Sequence, residues 1–251
     1  MDVRSAKTIR LDALREELRS MTQAPAHACL TFGIDALDGH LPAGGLVPGV
    51  QEICPANADL PSEAAASQVA AFLLGRVRGP VIWALSRRCL FAPGLAEAGL
   101  AESRVIYAEA GNEKAVLAIA EEALRHPGLA GVVAETHRLG LTPSRRLQLA
   151  AEAAQTPCLV LRRWKRGQPP AAGTAALTRW QVGTMPSRAP AGLPRAAWRL
   201  ELVRCRGGAP RTWHVELEAG GDARSSLSLR LVAELAGPEA GAAPARHAAA
   251  A

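Results

Sequence analysis

Short apolar runs at residues 50–54, 81–85, 105–108, 131–134 and 158–162 alternate with helical stretches at 62–77, 112–126 and 143–155. This alternation restricts the fold more than any other property of the chain. Runs of that length suit strands covered on both faces, and the helices between them supply the cover and the crossovers. A mostly parallel α/β sheet flanked by helices is therefore predicted. The punctuation agrees. Ser62 is placed to cap the first helix and Thr142 with Pro143 to open the third, while Gly79-Pro80, Pro127-Gly128 and Pro157 act as breakers.

After Arg162 the pattern changes. Residues 163–178 hold Gly167, Pro169, Pro170 and Gly173, a predicted mobile loop. Residues 198–205 and 211–218 then read as an antiparallel hairpin turning through 206–210, with a last strand at 226–232. The expected organisation is an N-terminal amphipathic helix and linker over residues 1–24, one domain over 25–236, and a disordered Ala/Gly/Pro-rich tail over 237–251. Leu11, Leu14, Leu18 and Met21 share one helical face, which either packs on its own domain or docks on a protein partner.

The first strand and helix stand in the order a phosphate-binding loop requires. Between them, Pro55-Ala56-Asn57-Ala58-Asp59-Leu60-Pro61-Ser62-Glu63 cannot work as one. A working loop, G-x-x-x-x-G-K-[ST], wraps backbone N–H groups around the phosphates, reaches their oxygens with a lysine and holds Mg²⁺ with a hydroxyl. No glycine lies between Gly49 and Gly75, and the lysines of the chain are Lys7, Lys114 and Lys165. Asp59 and Glu63 add repulsion, since a carboxylate ~4 Å from a phosphate charge costs roughly 4 kcal/mol at an effective dielectric near ~20. Pro55, Asp59, Ser62 and Glu63 thus mark a degenerate loop. Neither a nucleotide cofactor nor ATP hydrolysis is expected.

The net charge of +6 conceals a division. Residues 1–136 carry 12 Lys and Arg against 16 Asp and Glu, whereas residues 137–230 carry 16 against 5. The C-terminal half therefore suits a polyanion or an acidic partner. Its densest cluster, Arg162-Arg163-Trp164-Lys165-Arg166, follows a predicted parallel strand at the edge where open sheets present ligand loops, and Trp164 is able to stack on a base. This cluster reads as a contact for single-stranded DNA or an acidic partner, or as a solvated turn. Arg145 and Arg146 open a helix in the same half, where cations oppose the helix dipole, so they read as further contacts for DNA or an acidic partner, or as partners of a local carboxylate.

Other chemistries lack their residues. The cysteines (Cys29, Cys54, Cys89, Cys158, Cys205) form no C-x-x-C pair and stand in or beside apolar runs, as buried, reduced thiols would. The histidines show no metal-ligand spacing, and Ser86 has no glycine for a nucleophile elbow. No apolar stretch approaches the length of a membrane span and the chain opens without a signal-peptide core, so a soluble cytoplasmic protein is expected.

The loop leading to the first strand carries Thr31-Phe32-Gly33, Leu37-Asp38, Gly44-Gly45-Leu46, Gly49 and then Glu52-Ile53-Cys54. It resembles the signature ahead of the P-loop in RecA-family proteins, and the similarity extends over about residues 25–232. Within that superfamily, the degenerate loop, Pro143-Ser144-Arg145-Arg146-Leu147-Gln148-Leu149-Ala150-Ala151-Glu152 and Leu202-Val203-Arg204-Cys205-Arg206-Gly207-Gly208 resemble the ImuA proteins, accessory factors of bacterial mutagenesis. The resemblance implies a RecA-like core with a degenerate P-loop and a C-terminal antiparallel extension. It further implies a non-catalytic, damage-induced SOS role in translesion synthesis. The partners it implies are ImuB, an inactive Y-family-like polymerase homologue, an error-prone replicative-type DNA polymerase and RecA. It sets Glu135 where a Mg²⁺-orienting Asp would be expected, and a DNA-contacting loop near Arg162. Two other readings fit the same residues: a SulA-like cell-division inhibitor, or a residual nucleotide-binding ATPase with unusual ligands.

Overall fold

The computed structural model describes residues 29–87, 90–164, 168, 173–187, 195–218 and 227–236. Strands β1 (Val50–Pro55), β2 (Val81–Leu85), β3 (Val105–Glu109), β4 (Gly131–Thr136), β5 (Cys158–Arg162) and β6 (Thr178–Thr184) form a parallel block. Strands β7 (Ala197–Cys205), β8 (Arg211–Glu218) and β9 (Ser228–Ala236) extend it antiparallel. Together they make one nine-stranded sheet in the order β3-β2-β4-β5-β1-β6-β7-β8-β9. The expected mixed architecture, a mostly parallel sheet with an antiparallel extension, is the one observed. Leu11, Leu14, Leu18, Met21 and the tail lie outside the described residues.

The strand pleat divides the apolar residues between two faces. The short helix α1 (Asp35–Asp38) precedes β1 in the chain. Trp83, Val133, Leu159 and Leu161 point toward α2 (Leu60–Gly75) and α3 (Ala92–Glu97). Ala84, Val132, Ala134 and Val160 point toward α4 (Glu113–Ala123) and α5 (Leu141–Ala154). Every residue of β1, β4 and β5 is buried, which is why these segments read as continuous runs. Trp83, Trp180, Trp198 and Trp213 are all buried on strands. Trp180 packs 5.1 Å from Phe32 and 5.9 Å from Trp213, centroid to centroid.

The glycine-bearing loop before β1 is tied by its own residues. The Asp38 carboxylate accepts the backbone N–H groups of Phe32 (2.8 Å) and Gly33 (2.7 Å), so Thr31–Asp38 closes on itself. Gly49, at φ +144°, leaves room that a side chain would take from Leu177 and Gln148, and Gln148 Oε1 accepts from Val50 N at 2.7 Å.

Several local expectations are corrected. Asp59, not Ser62, is the N-cap of α2, its carboxylate accepting from Ser62 N at 2.7 Å. The third helix opens at Leu141 from Gly140 rather than from Thr142. The last strand begins at Ser228 and runs beyond Val232. Strand β6 and helix α3 were not expected. Thr178–Thr184 alternates polar with apolar residues and carries Arg179 and Gln181, an unusual composition for a strand inserted between β1 and β7. Buried polar partners on β1 accommodate it.

Candidate functional site

Strand β2 hands the chain to α3 on one face, whereas its neighbour β4 hands it to α5 on the other. A crevice opens at the carboxyl ends of such strands. Here it is a cleft of 680 Å³. Ser86 and Arg87 reach it from the end of β2, Gly111 and Asn112 from the turn before α4, Glu113 and Lys114 from the first turn of α4, and Glu135 to Arg138 from the end of β4. Arg163 and Trp164, beyond β5, and Glu63, on α2, complete its wall.

The side chains in its floor are committed to each other. Glu135, 7% exposed, accepts from Trp83 Nε1 at 2.8 Å and from Arg163 Nε at 3.1 Å. Arg163 also donates to the Glu63 carbonyl and to Ser67 Oγ, each at 2.9 Å, stitching β4 and β5 to α2. The Trp164 indole N–H donates to the Pro55 carbonyl at 2.9 Å, so this aromatic is anchored to β1. Glu113 accepts from Thr136 Oγ1 at 3.0 Å and from Arg138 N at 2.9 Å.

The basic cluster divides between interior and surface. Arg162 is fully buried: its guanidinium lies 3.2 Å from Glu52 Oε1 and donates to the His137 carbonyl at 2.9 Å. Arg179 holds the other Glu52 oxygen at 2.7 Å. The expectation that Arg162 meets DNA or an acidic partner is corrected, because its charge is spent on a carboxylate inside the sheet. Arg163 is likewise turned inward, while Lys165 and Arg166 lie outside the described residues. Arg145 and Arg146 are exposed on α5 and do not line the cleft, and Arg146 pairs with Glu121 at 2.8 Å.

Sequence reasoning missed the cations that do face the cleft. Arg87, Lys114 and Arg138 are exposed at its rim, with no side-chain partner among the described residues. They are scattered along the chain and only the topology gathers them. Of the residues singled out between β1 and α2, Glu63 lines the cleft, whereas Pro55 ends β1, Ser62 is buried in the first turn of α2, and Asp59 caps it. The carboxylate of Asp59 is held below its ordinary range by hydrogen bonds from the Ser62 backbone and side chain and from Asn57.

Burial pushes the thiols of Cys54 and Cys158 up to about 12, with Glu52 adding to the shift at Cys54. Cys29 and Cys205 are only half-buried, contrary to expectation, and Cys89 lies outside the described residues. Among the described residues no group of His, Cys, Asp and Glu is arranged to hold a metal ion, and no helix is long and apolar enough to cross a membrane.

No family model matches the chain. Over 230 residues it is 36% identical to Protein ImuA of Caulobacter vibrioides strain NA1000 / CB15N, a match covering 86% of this chain and 93% of the relative. Protein ImuA of strain ATCC 19089 / CIP 103742 / CB 15 matches at the same identity and coverage. Among solved structures, SulA from Pseudomonas aeruginosa aligns at 24% identity and a TM-score of 0.40 over 46% of this chain and 98% of that one, a likeness too partial to carry an argument.

Proposed function

The chain belongs to the ImuA family of damage-induced mutagenesis proteins, and from that membership we propose that it is a non-catalytic, RecA-like adaptor in translesion synthesis. In this reading it brings an ImuB-type protein and an error-prone replicative-type DNA polymerase together at damaged DNA in the cytoplasm, with RecA as a further partner.

The observation that carries the non-catalytic part is the state of the sheet edge between β1 and β4. The amino end of α2, where a phosphate would be cradled, is capped by the chain's own Asp59, and no lysine or glycine stands in the loop before it. Glu135, the acid offered to a metal, is already shared between Trp83 and Arg163. A nucleotide would have to displace these internal bonds and gain no cradle in exchange.

The test is complementation. In a strain lacking its own ImuA, the chain is expected to restore damage-induced mutation frequency, and Glu135→Ala is expected to leave ATP hydrolysis at the blank rate of the wild type. Co-purification with an ImuB-type protein is the second expected result. Saturable ATP hydrolysis lost in Glu135→Ala, or a chain with no affinity for ImuB, RecA or DNA, would overturn the reading.

A further inference from the structure

The cleft has an apolar neighbour. Between α2 and α3 lies a groove of 230 Å³ walled by Leu60, Ala64, Leu90, Phe91 and Leu95. Glu63 and Arg163 border both depressions, and the loop after β2 that sends Arg87 to the cleft goes on to supply Leu90 and Phe91 to the groove. Leu60 is 82% exposed and Phe91 69% exposed. Leu60 opens α2 directly after its cap, and Phe91 flanks the start of α3 without a side-chain capping bond, at a position where Ser, Thr, Asp or Asn would serve the helix better. Large side chains kept in water at the cost of local fitness mark a contact surface.

Beside this apolar pair stand Arg87, Lys114 and Arg138, exposed and without side-chain partners among the described residues. Of the carboxylates around them, Glu135 and Glu113 are engaged as described, which leaves Glu63 as the acidic group between groove and cleft.

We propose that groove and cleft form one docking surface for an acidic, apolar peptide segment of a partner protein. Bulky side chains of the segment seat against Leu60 and Phe91, and its carboxylates meet Arg87, Lys114 and Arg138. The inference rests on the adaptor reading and names the chemistry of what the adaptor holds. Charge complementarity selects an acidic occupant, and the wall selects a peptide over a nucleic acid: among the described residues Phe91 is the single aromatic in a groove otherwise walled by the aliphatic Leu60, Ala64, Leu90 and Leu95, while Trp164 is anchored to Pro55 and Arg162 is buried.

The test is fluorescence anisotropy of the full chain with a short labelled peptide that alternates Glu and Leu around a central Phe. Its controls are the same peptide with Gln for Glu, the same peptide with Ala for Leu and Phe, and labelled oligothymidine. The acidic, apolar peptide is expected to bind at least about tenfold more tightly than either peptide control. Leu60→Ser with Phe91→Ser is expected to weaken it about tenfold at any salt. Arg87→Ala with Lys114→Ala and Arg138→Ala is expected to do so mainly at low salt, where screening is weakest. The proposal is overturned if no peptide binds, if the controls bind equally, if oligothymidine binds and the Leu60 and Phe91 changes leave it untouched, or if those changes instead dissolve a self-associated form in sedimentation. Complementation with the same variants separates the two levels. Groove variants that restore mutagenesis fully sink the docking surface and spare the adaptor reading, whereas a wild-type chain that restores nothing sinks the adaptor reading itself.

Discussion

Glu52 and Arg162 meet 3.2 Å apart with both side chains removed from solvent, and Arg179 closes on the second Glu52 oxygen at 2.7 Å. Strands β5, β1 and β6 are thus cross-linked by charge as well as by backbone hydrogen bonds. Breaking a buried pair by deleting one partner strands the other in a medium that cannot solvate it. Arg162→Ala is expected to lower the unfolding free energy by about 3–5 kcal/mol. Glu52→Ala should cost more, because it abandons two guanidinium groups. Urea denaturation followed by tryptophan fluorescence reads both. A loss under about 1 kcal/mol for Arg162→Ala would show that the pair contributes little.

Arg163 presents a different test, since its guanidinium divides among Glu135, the Glu63 carbonyl and Ser67. Its side chain is 17% exposed, so water recovers part of what a deletion removes. Arg163→Ala is expected to cost about 2–3 kcal/mol. Arg163→Lys should recover only a fraction, because an ammonium cannot present the planar fork that reaches three acceptors. Thermal melts of the variants give the order.

The buried thiols set an alkaline limit. Cys54 and Cys158 are pushed from an ordinary 9.0 to about 12 in the folded chain, so above pH 9 the unfolded chain releases protons that the folded chain retains. Their contribution is intact below pH 9.0 and is lost as pH rises toward about 12, at about 1.4 kcal/mol per pH unit for each thiol. Replacing both with Ala or Val should flatten the fall in stability measured by denaturation across that window. In the native chain at pH 8, neither is expected to react with a thiol reagent.

Asp59 sets a limit at the acid end. Its folded value is lowered from an ordinary 3.8 by the hydrogen bonds of the cap, so the contribution is present above that range and disappears as pH falls below it. Asp59→Asn keeps an acceptor and should melt close to the wild type at neutral pH, whereas Asp59→Ala should melt lower. That deficit should shrink toward pH 3.

The parallel block was legible in the sequence because burial on both faces leaves little room for polar residues, and β1, β2, β4 and β5 show it. Strand β6 escaped because Arg179 reaches a carboxylate on β1, a pairing that no local pattern reveals. The site was legible in its place, the carboxyl edge of the sheet, and not in its membership. Arg162 looked like a surface cation because the adjoining residues are basic, but strand alternation turns it toward Glu52. Arg87, Lys114 and Arg138 carried no sequence signal, since Arg87 and Arg138 follow different strands, Lys114 stands in the first turn of α4, and only the crossovers assemble them.

The chain order of that central ion cluster bears on how the protein is made. Glu52 leaves the ribosome 110 residues ahead of Arg162 and 127 ahead of Arg179, and β1 finds its partners only in β5 and β6. Until β5 and β6 have emerged, β1 remains an apolar ribbon with a lone carboxylate and two open hydrogen-bonding edges. Such long-range parallel pairing is slow to form and exposed to misassociation. Synthesis of this protein therefore carries a window of vulnerability that closes with the arrival of Arg162 and Arg179, and the nascent segment before them is the one left open to misassociation.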